Sequence, residues 1–131
     1  MRSKKEYKNI FETKEEKPHA VIFAIDQAPR KGTGLWTMFL NQETAIPFGA
    51  EKLANEKNFP VLFGAMSRIK RGHFSVTYQL IEENPKNLEF GQLSVKATRM
   101  LEKQIIERPE YWLWSHRRWK RTKTEKDVLY S

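Results

Sequence analysis

Two stretches of this chain hold side chains whose types and spacing suit chemistry on an anion. The first is Asp26-Gln27, which directly follows the apolar run Ala20 to Ile25 and precedes Arg30, Lys31, Gly32 and Gly34. In open α/β sheets ligands bind beyond the carboxyl ends of strands, so Asp26, Gln27, Arg30 and Lys31 are placed correctly for a site. Glycines there let the backbone approach a phosphate or carboxylate. An aspartate at a strand end also suits a plain turn, and no Gly-Lys-Ser/Thr follows as a phosphate-cradling loop requires. Arg68, just past a second apolar run, falls on the same expected sheet edge, where it either pairs with Asp26 or faces a ligand beside it.

The second stretch is Pro109-Glu-Tyr-Trp-Leu-Trp-Ser-His-Arg-Arg-Trp-Lys120. Trp112, Trp114 and Trp119 stand among His116, Arg117, Arg118 and Lys120. On a helix, Trp112 would share a face with Trp119, and Trp114 with Arg118. Indole beside guanidinium suits an interfacial anchor, a phosphate-recognition surface or base stacking. The plainer alternative is tryptophans that cap a core beside solvated arginines.

Composition narrows the chemistry. The chain has 131 residues and no cysteine, which excludes disulfides, a thiol nucleophile and Cys-ligated zinc. Histidines at 19, 73 and 116 are too dispersed for a metal cluster, and no cofactor is implied. The longest apolar run is about six residues, far short of the ~20 that cross a bilayer, and no apolar stretch follows the charged start as in a signal peptide. Net charge is +8, from 24 Lys+Arg against 16 Asp+Glu, which favours anionic partners. From His116 to Lys126 there are six basic residues and one acid, so most of the excess sits at one end.

The elements that would position these residues follow from periodicity. Residues 1–17 read as a polar leader, and His19 and His73 as ordinary surface residues. Ala20 to Ile25, bounded by Pro18 and a turn-prone segment, reads as a strand buried on both faces. Leu35 to Leu40 is a strand or an ordered loop, and Asn41 to Thr44 a turn. Gly49 to Asn58 is a helix with Ala50, Leu53 and Ala54 on one face. Val61 to Met66 is the next strand, so strand–helix–strand spacing predicts a right-handed βαβ unit with parallel strands. His73 to Leu80 alternates, and the turn at Lys70-Arg-Gly72 predicts an antiparallel partner for the second strand. Glu82 to Phe90 is a loop, and Gln92 to Arg108 a helix with Leu93, Ala97, Met100, Leu101 and Ile105 along one face. The expected class is α/β, with a partial mixed sheet of three to four strands and two main helices.

The Pro109–Lys120 block resembles the C-terminal signature of the late acyltransferases of lipid A biosynthesis, the lauroyl/myristoyl acyltransferase family. Ala24-Ile-Asp-Gln27 resembles its strand-end Asp-Gln segment, Thr44 to Ala54 the following helix, and Phe59-Pro-Val61 through Arg68 the next strand and its arginine. The similarity covers about residues 18–121, with residues 122–131 a polar tail. It implies the C-terminal portion of a glycerolipid-acyltransferase-like fold. It also implies transfer of an acyl chain from a carrier-protein or coenzyme A thioester to a hydroxyl of an anionic lipid, at the cytoplasmic face of the inner membrane. The family's catalytic dyad is a histidine followed, after four spacers, by Asp or Glu. Counting five on from each histidine here gives Ala24, Tyr78 and Arg121.

The resemblance therefore implies a C-terminal fragment, soluble and inactive alone, whose dyad and membrane anchor lie upstream. Asp26, Gln27, Arg30, Lys31 and Arg68 become candidates for the acceptor or phosphate side. Trp112, Trp114, His116, Arg117, Arg118 and Trp119 become a structural or lipid-facing element. Two competing readings are a basic RNA- or DNA-binding module and a non-catalytic peripheral membrane protein. An acid-balanced body and the lack of an RNA-binding signature argue against nucleic acid.

Overall fold

The computed structural model describes residues 20–131; the polar leader and His19 lie outside the described residues. The chain is mixed α/β, with two helices and two sheets. Strands β1 (Gly34–Phe39) and β2 (Gln42–Pro47) form an antiparallel hairpin, and β5 (Leu129–Tyr130) adds to β1 in parallel. The hairpin turns on Leu40 and Asn41, both at positive φ (49° and 60°), the geometry that matches the twist of the strands. Gly34 is required where β1 begins, because a Cβ there would stand 2.8 Å from the Pro29 ring.

Helix α1 (Gly49–Lys57) follows at once and ends with Asn58 in the left-handed conformation, its N–H donating to the Ala54 carbonyl. Strands β3 (Val61–Lys70) and β4 (His73–Glu82) form a separate two-stranded ribbon with a tight turn at Arg71-Gly72. After a short 3-10 turn at Pro85–Asn87, α2 (Gln92–Glu107) packs across both sheets. One cluster gathers Leu35, Ile46 and Val95, and a second gathers Phe39, Ile105 and Trp112. Glu51 joins the two helices: it is 1% exposed, and its carboxylate accepts from the backbone N–H of Gly91, the N–H of Ser94 and the Ser94 hydroxyl.

Three expectations need correction. Ala20 to Ile25 is not a buried strand: Ile22 is 91% exposed and no described strand pairs with this run. An apolar run becomes a strand only when a neighbour takes up its N–H and C=O groups. The parallel βαβ unit falls with it, since β3 pairs only with β4, and the strands divide between two sheets. The expected turn at Asn41 to Thr44 is shorter, because Gln42 onward is already β2. The two main helices and the β3–β4 pairing stand as expected, and of the two readings of Leu35 to Leu40 it is the strand that forms.

Strand β5 depends on a turn before it. The Asp127 carboxylate accepts from both the backbone N–H and the hydroxyl of Thr124, at 2.8 Å each, and these bonds hold its pKa below the ordinary 3.8. A depressed carboxylate pKa contributes stability that is present above 3.8 and lost as pH falls through the folded value. Acidification below pH 3.8 therefore weakens the β5 end ahead of the hairpin. The protection factors of Leu129 and Tyr130, exchange rates corrected for the intrinsic pH dependence, fall there relative to the hairpin amides and are already low in Asp127→Ala at neutral pH; unchanged protection in both would contradict it.

Candidate functional site

The C-terminal block is not a helix. After a 3-10 turn at Pro109–Tyr111 it runs through successive tight turns, the N–H of Trp114 donating to the Trp112 carbonyl and that of His116 to the Leu113 carbonyl. The helical facing of these tryptophans is thereby replaced by a wrap around the β1–β2 hairpin. Trp112 and Trp119 both reach Phe39, with ring centroids 6.0 and 6.4 Å away. The Trp119 indole N–H donates to the Thr44 hydroxyl at 2.8 Å. Trp114 is exposed, its indole N–H turned back onto the Pro109 carbonyl.

Arg118 is the unusual member. It is 2% exposed, its guanidinium lying over the Phe39 ring at 5.5 Å and donating to the Ala45 carbonyl at 2.7 Å. Burial pulls its pKa down to about 10, and the negative charge of Asp26 opposes that pull. His116 Nε2 accepts the N–H of Ala28 at 3.1 Å, so this imidazole clips the loop that carries Asp26 and Gln27. An Arg121 amino group reaches the Pro29 carbonyl at 3.5 Å. The block and the loop thus form one unit: Asp26 is half-buried within reach of the Arg118 field, while Gln27, Arg30, Lys31 and Arg117 are exposed around it.

Arg68 is elsewhere. It lies opposite Phe74 near the turn of the β3–β4 ribbon, in the other sheet, and no described contact joins it to Asp26. The shared edge vanishes because the parallel pairing that would have created it is absent. Ala28, Thr44, Ala45 and Arg121 complete the unit and carry no signal in the sequence, since three of them contribute backbone or a common hydroxyl. Among the described residues, no group of three or more His, Asp or Glu could hold a metal ion, and no helix is long and apolar enough to cross a membrane.

The class is a mixed α/β protein in which a cationic, tryptophan-rich block closes over the β1–β2 hairpin and clips the loop that carries Asp26. The chain matches the bacterial lipid A biosynthesis acyltransferase family over residues 4–121, and it belongs to that family. The match spans both the Asp26 loop and the block through Arg121. No curated protein and no solved structure matches the chain.

Proposed function

We propose that this chain is the C-terminal part of an acyltransferase that moves an acyl chain from a carrier-protein or coenzyme A thioester to a hydroxyl of an anionic lipid, at the cytoplasmic face of the inner membrane. The family match over residues 4–121 carries the reading. In such a reaction the hydroxyl oxygen attacks the thioester carbonyl, its proton passes to a base, and the thiolate leaves. A histidine held by a carboxylate supplies that base. None of the three histidines here has the partner at the required spacing. His116 is further disqualified by its contact, since the Nε2 lone pair is engaged by the Ala28 N–H. The base is therefore supplied by residues outside these 131, and this chain provides the acceptor side.

Asp26 and Gln27, with Arg30 and Lys31 beside them, would receive the acceptor's polar groups; the clip from His116 and the field of Arg118 support that assignment. Trp112, Arg118 and Trp119 act as structure, because their rings and guanidinium are already occupied. That occupation also argues against base stacking on Trp112 and Trp119.

The purified chain is expected to give no transfer above background from acyl-carrier protein or acyl-coenzyme A to a lipid A precursor. Adding a polypeptide that carries the histidine–carboxylate dyad restores it. In the restored mixture His116→Ala lowers transfer by about 10- to 100-fold, by letting the Asp26 loop move. Transfer by the 131-residue chain alone would refute the proposal.

A further inference from the structure

We propose that the outer face of the β3–β4 ribbon, together with the cations at its turn, docks on an anionic phospholipid surface. This extends the membrane-face reading above to a particular surface. In the ribbon, residues paired directly across the strands share a face. The pairs Leu62–Leu80, Gly64–Tyr78, Met66–Val76 and Arg68–Phe74 therefore form one side. Every large apolar side chain on it is open: Leu62 56%, Met66 54%, Phe74 59%, Val76 43%, Tyr78 68% and Leu80 58% exposed. The buried Phe63 and half-buried Ala65 belong to the opposite face, and α2 packs against both strands. The open face amounts to roughly 500 Å² of apolar surface, at the upper end for a free monomer surface.

Charge decides the occupant. Residues 61–81 contain no Asp or Glu and carry Arg68, Lys70 and Arg71 at the turn end. All three are exposed, and none forms an ion pair among the described residues. An apolar face bordered by unpaired cations is the composition that lies in a headgroup–acyl boundary, with lysine and arginine on the phosphates. A second copy would set two acid-free cationic ribbons against each other. Nucleic acid would need more aromatic faces than Phe74 and Tyr78, since Leu62, Met66, Val76 and Leu80 cannot stack on bases.

Co-sedimentation of the 131-residue chain with vesicles tests this. The chain pellets with phosphatidylglycerol vesicles and not with phosphatidylcholine vesicles. Combining Arg68→Gln, Lys70→Gln and Arg71→Gln weakens binding about a hundredfold, each charge contributing about fivefold. Val76→Thr with Tyr78→Ser weakens it at least tenfold, while a charge-matched control (Lys52→Gln, Lys86→Gln, Lys103→Gln) retains binding within a few-fold. All substituted side chains are exposed, so thermal midpoints should match the wild type; if the apolar pair shifts its midpoint, the charge variant decides alone. Equal loss in the charge-matched control, or loss on Trp114→Ala with the ribbon variants intact, overturns the proposal. So does a lipid-free dimer abolished by the ribbon substitutions, or displacement of the vesicles by tRNA. Because no acyl transfer is measured, failure here leaves the acyltransferase reading standing, and failure of that reading leaves vesicle binding to be read on its own.

Discussion

Glu51→Ala lowers the stability of the fold by about 3 kcal/mol, which corresponds to a melting midpoint roughly 10 °C lower. The carboxylate is 1% exposed and accepts three hydrogen bonds, from Gly91 N–H, Ser94 N–H and the Ser94 hydroxyl. Two of those donors are backbone groups at the start of α2, which have no intrahelical partner. Alanine leaves them buried and unpaired, and also opens a cavity between α1 and α2. Glutamine tests the argument more sharply, because it fills the same space. Its oxygen can satisfy one side, but its amide points hydrogens at another donor, so Glu51→Gln retains only part of the stability. Urea unfolding followed by circular dichroism ranks wild type, Gln and Ala in that order. A Gln variant as stable as wild type would show that shape rather than hydrogen bonding holds the helices together.

Arg118→Ala is expected to cost a comparable ~3 kcal/mol, from a lost bond to a buried carbonyl, lost packing and an exposed cavity. The Ala45 carbonyl loses its 2.7 Å donor, Phe39 loses the guanidinium over its ring, and Asp26 loses the opposing charge of Arg118. Burying the cation is itself costly, as the fall of its pKa to about 10 records. Arg118→Met, which fills the volume and removes that cost, is therefore expected to lose less than half as much. Thermal unfolding separates the two variants. Equal destabilisation by Ala and Met would mean that the charge itself, not the packing, is what the fold uses.

The parts of this fold legible in the sequence are those with local signatures. Helix α2 announces itself by apolar spacing from Leu93 to Ile105, and the ribbon by the alternation through Phe74, Val76, Tyr78 and Leu80. Strand β2 was hidden because its turn uses Leu40 at positive φ, a residue type that carries no turn signal. Strand β5 is two residues long and exists only through its pairing with Trp36 and Thr37. Ala20 to Ile25 is the opposite case: its composition is that of a strand, and no described neighbour takes it up. The candidate site was visible as two pieces, the Asp26 loop and the Pro109–Lys120 block. Their union rests on bonds such as Ala28–His116, which spans 88 residues and leaves no trace in local spacing.

That long span has a consequence for synthesis. The hairpin is finished locally, yet the groups that cover it, at His116, Arg118 and Trp119, lie 73 to 88 residues from their partners. At a translation rate of about 5 to 20 residues per second, Phe39 waits on the order of 4 to 16 seconds on the ribosome before Trp112 and Trp119 can emerge to shield it. Through that interval the nascent hairpin shows the face it will later hide, so this stage of its life is when a chaperone has the most to hold.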